Sequence, residues 1–405
     1  MPFFKYVGQS KNQKLIRGWI EAIGPGLAIE KLIAVGLRVL EIKPAGFLFT
    51  NLTKGFYRVK DDSIYLMTRA FGTLISSGMP VFEAIRILFE NEENDTLKRA
   101  LMTVLYDIRN GSSISWAMTK HPKIFSPIYL GLIKVGETTG ELGLMLQRLS
   151  NFLEEDIRIK RMIKAALIYP AFIFLFCLGA AFITFHYVLP ALLGSITSVS
   201  TSLPLPTRIL CFLVNTGHNP YFQLVLISGL ISYVVFLKQW LNKPENKLKV
   251  DKLKVDLPVI GPLNRKFLSA QFFRSLGLFL TSGFPILKAL SLLTDYSENA
   301  YFTKFIILPL TEEIKNGGYI STALAKNLDF FQWVPAQMVN AGEEVGEVPF
   351  MLTKVAAIYD ADIAYSLDMF IVLLEPFLIT VMGLVVGFII LAIFMPLYQF
   401  ILKLA

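Results

Sequence analysis

Cysteine and histidine are nearly missing from this chain. Cys177 and Cys211, with His121, His186 and His218, are all that its 405 residues contain. Two cysteines build no disulfide framework. Three histidines so far apart make no zinc spacing with them. A Walker A motif is also lacking, because the glycines stop helices and none precedes a Lys-Ser or Lys-Thr pair. A serine nucleophile would need a positioned base, and none can be nominated. The chain is therefore expected not to be an enzyme and to hold no cofactor or metal. The acidic run Glu90-Asn91-Glu92-Glu93-Asn94-Asp95 lacks the glycine and spacing of a calcium loop, and reads as a solvated turn with a helix cap.

Charge is scarce as well. Charged residues make up 17% of the chain, apolar residues 54%, and the mean hydropathy is +0.55. That balance points to a membrane protein. The net charge of +8 does not require nucleic acid, since basic residues beside anionic headgroups suffice. No basic segment is interleaved with aromatics as RNA or DNA binding would need. The partly apolar region 20–40 is broken by Glu21, Glu30, Lys31 and Arg38, so no secretory signal peptide is expected.

What the chain does have is a copy of itself. Ile108-Arg109-Asn110-Gly111 returns as Ile314-Lys315-Asn316-Gly317 at an offset of 206 residues. Gly136-Glu137-Thr138-Thr139-Gly140-Glu141 returns as Gly342-Glu343-Glu344-Val345-Gly346-Glu347 at the same offset, and Pro170 and Pro190 answer Pro376 and Pro396. Upstream, Arg69, Gly72, Ser77-Gly78, Pro80 and Ala84 answer Arg274, Gly277, Ser282-Gly283, Pro285 and Ala289 at an offset of 205. One residue is therefore gained or lost between Ala84 and Ile108. The period far exceeds the roughly 20–50 residues of a solenoid unit. It implies tandem duplication of a whole domain, and a pseudo-two-fold arrangement of the copies is expected.

Each copy ends in an uncharged apolar stretch, residues 165–193 and 376–402. Both exceed the roughly 20 apolar residues that cross the hydrocarbon core. A third stretch, 221–237, is near the minimum and has no counterpart in the repeat. The expected spans are thus 168–193, 221–237 and 376–402. Of the 39 Lys and Arg residues, 23 precede the first stretch, Arg208 alone lies between the first two, and 14 lie between the second and third. The positive-inside rule puts the N-terminus and both large polar regions in the cytoplasm, with the loop 194–220 and the C-terminus outside.

Residues 1–52 read as a small α+β module, with strand runs at 3–7 and 15–21, a helix over 28–39 and a closing strand at 40–42. Residues 61–167 read as six helices. Met67, Phe71, Leu74 and Ile75 share one face of the first. Gly78 stops it and Pro80 opens the second. Asn94 or Asp95 caps the third, which stops at Gly111, and Ser112 or Ser113 caps a short fourth. Ser126-Pro127 opens a fifth, ending at Gly136. The sixth starts near Thr139 or Gly140 and runs unbroken through Lys164 into the first span. Short connections favour antiparallel neighbours. Residues 267–370 repeat this punctuation, and 238–266 read as a basic linker. The predicted architecture is an all-α membrane protein: two tandem homologous six-helix cytoplasmic bundles, three transmembrane helices and the small N-terminal module.

Gly136, Glu137, Gly140 and Glu141, with Gly342, Glu343, Gly346 and Glu347, are the most pointed candidates. Glycine at each end of a tight turn opens backbone angles closed to other residues. Glu141 and Glu347 near a helix start suit its dipole. A structural turn accounts for much of the pattern, and partner contact through Glu137 and Glu343 is the alternative. Glu375 precedes Pro376 where the third span enters the membrane, as Tyr169 precedes Pro170 in the first copy. A carboxylate at such depth is costly and often functional. Gly383 and Gly387 form a small-xxx-small pair that lets another helix approach.

Taken together, these motifs resemble the type II secretion F / PilC family of inner-membrane platform proteins, over nearly the whole chain. Phe4-x-Tyr6 and Gly18-x-Ile20-Glu21-Ala22 resemble its opening module. Ser77-Gly78-Met79-Pro80-Val81-x-x-Ala84, Asn110-Gly111-Ser112-Ser113-Ile114 and Gly136-Glu137-x-x-Gly140-Glu141-Leu142 resemble its first domain. Ser282-Gly283-Phe284-Pro285-Ile286, Gly342-Glu343-x-x-Gly346-Glu347 and Leu374-Glu375-Pro376 resemble its second. Gly318-Tyr319 departs from Ser112-Ser113, which leaves the cap there open, and Pro335 is out of register with Pro127. The resemblance implies a non-enzymatic platform in the bacterial inner membrane, serving a type IV pilus or type II secretion machine. Its implied partners are a cytoplasmic hexameric assembly ATPase, pilin or pseudopilin subunits, other inner-membrane components, the lipid bilayer and further copies of itself. A small membrane transporter or a membrane-anchored adaptor is the alternative. Three spans, with no intramembrane charge pair, argue against a transporter.

Overall fold

In the computed structural model the described residues are 2–10, 13–44, 59–188, 190, 204–218, 220–241, 243–258, 260–297 and 299–404. The chain divides into two compact units, residues 1–159 with 265–360, and residues 160–264 with 361–405.

The first unit opens on an antiparallel sheet of β1 (Phe3–Gln9), β2 (Leu15–Glu21) and β3 (Arg38–Pro44), in the order β2-β1-β3. Helix α1 (Pro25–Ala34) lies between β2 and β3 in the chain. Alternation along the strands buries Phe4, Tyr6, Ile16 and Ile20, and α1 buries Ala28 and Leu32. The helix expected over 28–39 is displaced. Pro25 starts it earlier, and Gly36 at φ +85° ends it, which frees Arg38 onward to pair with β1. Residues 45–52 of the expected module lie outside the described residues.

Six helices follow: α2 (Asp61–Ser76), α3 (Val81–Asn91), α4 (Asp95–Arg109), α5 (Ile114–Thr119), α6 (Pro127–Thr139) and α7 (Leu142–Ile183). Asn94, not Asp95, caps α4, accepting the N–H groups of Thr96 at 3.0 Å and Leu97 at 3.1 Å. Ser113 caps α5 by accepting from Trp116 at 3.2 Å. Helix α6 continues past Gly136 to Thr139 and is stopped by Gly140 at φ +75°.

Next in the chain come α8 (Leu205–His218), α9 (Pro220–Leu241) and α10 (Pro244–Asp256). The second copy then holds α11 (Ile260–Thr281), α12 (Ile286–Tyr296) and α13 (Ala300–Phe302). A π turn (Thr303–Ile307) joins α13 to α14 (Leu308–Lys315). After it come α15 (Ile320–Ala325), α16 (Leu328–Phe331), α17 (Trp333–Val345) and α18 (Val348–Leu404). The one-residue change of offset has a visible home here. Asn94 and Asn299 cap corresponding helices, and Arg109 and Lys315 close them. The second copy thus holds one more residue in the same span. The π turn takes it up: the Leu308 N–H bonds to the Thr303 carbonyl five residues back, where an α turn reaches four. An aromatic cluster fills this copy, with Phe273 5.3 Å from Phe331 and 5.7 Å from Tyr359 between ring centroids.

The two copies meet inside this unit. A Cβ on Gly131 of α6 would lie 3.2 Å from Leu292 Cδ1 on α12, and 3.6 Å from the rings of Phe279 and Phe284. Arg148 of α7 donates to the Thr281 carbonyl at 2.8 Å, and Phe152 meets the ring of Tyr296 at 6.5 Å. A pseudo-two-fold would set Gln337, the counterpart of Gly131, against Ile87, the counterpart of Leu292. Gln337 is instead exposed, and Ile87 lines an open groove. The contact is one-sided, and the expected two-fold arrangement is not present, because the copies use different faces.

Helices α7 and α18 carry residues of both units. In the second unit Phe172, Leu175 and Phe176 of α7 and Leu373, Phe377 and Leu384 of α18 are exposed. Both helices are long and apolar enough to cross a membrane, with mean hydropathy 2.0 and 2.9 in their most apolar windows. Exposed apolar side chains at this density call for apolar surroundings. The stretch expected as an outer loop is helical over 205–218. Leu210 and Val214 of α8 pack on Ala392 of α18, and Thr207 Oγ1 donates to the Ala392 carbonyl at 2.6 Å. Thr207, Leu210, Cys211 and Val214 recur at helical spacing, which explains the helix. The expected linker is helical too. Pro244 begins α10 and Pro262 lies in the first turn of α11, where its missing N–H has no bond to lose.

Candidate functional site

The paired Gly-Glu-x-x-Gly-Glu segments become two matching clasps. Glu137, near the end of α6, reaches back to the free end of the short helix α5. One carboxylate oxygen accepts the Ile114 N–H and the other the Ser115 N–H, the latter at 3.0 Å. Glu343 of α17 does the same to α15, accepting Ile320 at 2.6 Å and Ser321 at 3.0 Å. The first N–H groups of a helix have no intrahelical acceptor, and its dipole favours an anion there. Each carboxylate thus meets both needs with charge-assisted bonds. In the second copy this supplies what Tyr319 does not, since its side chain makes no capping bond.

The glycines divide the work differently from the expected turn. Gly140 and Gly346 do lie in turns, at φ +75° and +79°, conformations that suit glycine. Gly136 and Gly342 are buried inside α6 and α17. A Cβ on Gly136 would come within 2.8 Å of Leu142 Cα, and one on Gly342 within 2.8 Å of Met351 Cγ. Their role is to let successive helices approach closely. Glu141 and Glu347 supply the carbonyls that start α7 and α18, accepting from Met145 and Met351, each at 3.1 Å.

Sequence reasoning missed an ion pair beside each clasp. Lys120 donates to Asp107 at 2.8 Å, and Lys326 to Glu313 at 2.7 Å. Both members keep the 206-residue offset, but Asp answers Glu, so matching by identity passes over them; matching by charge would not. Arg274 pairs with Asp360 inside the second copy. Burial pushes the Asp360 carboxyl above its usual range, against the pull of Arg274. His121 is half-buried beside the first ion pair, its Nε2 buried without a hydrogen bond. Burial holds its pKa low, opposed by Asp107 and reinforced by Lys120.

The remaining candidates stand apart. Pro170 is buried within α7, whereas Glu375 and Pro376 are exposed within α18. A Cβ at Gly383 or Gly387 would meet nothing within 4 Å, so no described part of this chain packs there. The structure brings together the members of each clasp and does not join them to Glu375. Among the described residues no three of His, Cys, Asp and Glu converge as a metal site. What the clasps do chemically is bind backbone N–H groups and hold helix ends.

The sequence pattern of the family described as type II secretion system (T2SS), protein F matches residues 67–190 and 272–396. The matched segments begin and end at corresponding points of the two copies. The type IV pilus assembly protein PilC of Thermus thermophilus is 31% identical, over 99% of this chain and 98% of its own. The PilC of Myxococcus xanthus is 29% identical over 98% and 94%. A type II secretion system protein F from Vibrio cholerae is 27% identical over 84% and 83%.

Proposed function

The chain belongs to the type II secretion system protein F family, and we propose from that premise that it is the inner-membrane platform of a type IV pilus machine or its type II secretion relative. It couples a cytoplasmic hexameric assembly ATPase to the insertion of pilin subunits into a growing fibre. The names of the Thermus and Myxococcus relatives support the pilus form.

The observation that carries this reading is helix continuity. Helix α7 begins at the first clasp and runs from Leu142 to Ile183, and α18 begins at the second and runs from Val348 to Leu404. The helix that closes each clasp is the one that becomes apolar. In this proposal residues 61–167 and 267–370 are six-helix cytoplasmic bundles, and 168–193, 221–237 and 376–402 are the spans. The N-terminus is cytoplasmic and the C-terminus periplasmic. A motor that displaces a bundle then moves a span with no flexible joint between.

Two experiments test it. In-membrane crosslinking with mass spectrometry is expected to recover the ATPase through the bundles and pilins through the spans. Recovery of neither while fibres assemble would overturn the reading. A short Gly-Ser insertion after Lys164 is expected to abolish fibre output at unchanged protein level, and undiminished output would refute the rigid coupling.

A further inference from the structure

The one-sided contact between the repeats leaves each with an unused half. The first copy spends its α6–α7 face on the second copy's α11–α12 face. Among the described residues, the corresponding faces, α2–α3 of the first copy and α17–α18 of the second, keep exposed apolar side chains, and Lys14 donates to Asn91 at 2.9 Å at one end of the first. The α2–α3 face holds an open groove of about 680 Å³, lined by Leu66, Leu74, Ile87 and Asn91 among others. Three of these, Leu74, Ile87 and Asn91, are the counterparts of Phe279, Leu292 and Tyr296, all of which serve the internal contact. Phe279 is 0% exposed, whereas its counterpart Leu74 is half-buried and Leu66, in the same groove, is 61% exposed. The α17–α18 face is bare in the same way. Ile128 of α6 is fully buried, while its counterpart Val334 is 55% exposed, and Gln337, Lys354 and Ile358 are exposed as well.

We propose that a second copy of this chain repeats the internal contact between molecules, its α17–α18 face seated in the α2–α3 groove of the first. The side chains fit this occupant. Where the internal contact has Phe279 and Phe284 against Gly131, the open faces have Leu74 and Met79 against Gln337. Volume lost on one side is returned on the other, as close packing requires. Lys354 replaces Arg148, keeping a cation to reach the Ser76 carbonyl as Arg148 reaches that of Thr281. A heterologous contact leaves one donor face and one acceptor face on every molecule. Repeated between molecules, it builds a closed ring where the rotation between repeats divides a full turn and an open row of copies where it does not. This deepens the platform reading by naming the surface on which copies assemble.

The test uses the full chain carrying Cys177→Ser and Cys211→Ser. One tagged form carries Ile87→Cys and a differently tagged form carries Gln337→Cys. At their counterparts, a Cβ placed on Gly131 would lie 3.2 Å from Leu292 Cδ1. Mild oxidation of the mixed membranes is expected to give at least tenfold more crosslinked heterodimer than either form alone. No crosslink, or equal crosslinking in a single form, would overturn the proposal. Leu66→Arg, at an exposed rim position, is expected to shift the detergent-solubilised chain to a smaller species with helix content unchanged. An unshifted species would also overturn it. Association through this contact without ATPase or pilin recovery would leave the surface standing and remove the platform reading.

Discussion

Glu343 holds the Ile320 N–H at 2.6 Å, and Glu137 holds that of Ile114, 23 residues upstream of its own position in each case. The duplication has thus preserved a through-space bond along with a string of letters. The two clasps are not equally supported, since Ser113 adds a hydroxyl cap in the first copy and Tyr319 adds none in the second.

Glu137→Ala and Glu343→Ala are each expected to cost about 3 kcal/mol, since two charge-assisted bonds are lost in either case, and the first helix keeps its Ser113 cap where the second keeps none. Denaturant midpoints of the detergent-solubilised chain measure this. Adding Ser113→Ala to Glu137→Ala should cost roughly a further 1 kcal/mol, and no further loss would refute the second cap.

Gly136→Ala is expected to destabilise more than Gly342→Ala. The new methyl meets backbone, Leu142 Cα, in the first copy and the side chain of Met351 in the second. Overpacking costs about 1–3 kcal/mol, more against the Leu142 backbone than against the Met351 Cβ and Cγ at 2.9 and 2.8 Å. Gly140→Ala should cost about 1–2 kcal/mol for its left-handed backbone alone. Equal midpoints for Gly136→Ala and Gly342→Ala would refute the close-approach argument.

Arg274→Met is expected to cost about 3 kcal/mol at neutral pH by leaving Asp360 buried without its cation. The sign with pH follows from the raised Asp360 pKa. The native state binds more protons than the unfolded chain above the unfolded carboxylate pKa, so stability falls as pH rises through that window. Losing Arg274 raises the native pKa further, so the cost should shrink as pH falls into the range where the carboxyl is protonated. Glu155 and Arg158 also act on this carboxyl, in opposite directions. Arg274→Met with Asp360→Leu should recover most of the loss in the same unfolding assay.

His121 is expected to make the first unit weaken on acidification. Its folded pKa lies below the unfolded value near 6.5, so the unfolded chain binds more protons between the two. Stability is then fully present above about pH 6.5 and is lost as pH falls below it. The slope stays under about 1.4 kcal/mol per pH unit. Comparing urea midpoints at neutral and mildly acidic pH, His121→Gln should show a flatter dependence than the parent chain.

Much of the helical punctuation was legible because it is local chemistry. Asn94, Ser113 and Ser126 each cap the helix their position suggested. Gly78, Gly111 and Gly140 all take positive φ at helix ends. Errors came where local signals compete. Gly136 looks like a stop, yet it is interior because a neighbouring helix needs its missing side chain. The basic linker had no readable shape, and its Pro244 and Pro262 sit in first turns of helices, where proline is tolerated. The pattern of Thr207, Leu210, Cys211 and Val214 was present, but its position between two apolar stretches suggested a loop.

Sequence alone determined the duplication, the apolar stretches and the order of helices. Each depends on periodicity or on neighbours within a few residues, where backbone preference and burial pattern act directly. Tertiary structure decided what Glu137 and Glu343 bind, why Gly136 and Gly342 must lack a side chain, and which faces of the two copies meet. Those are contacts between residues 6 to about 160 positions apart. A face can be read as apolar from its spacing, but its partner is selected only when whole helices pack and their surfaces must fill the same space.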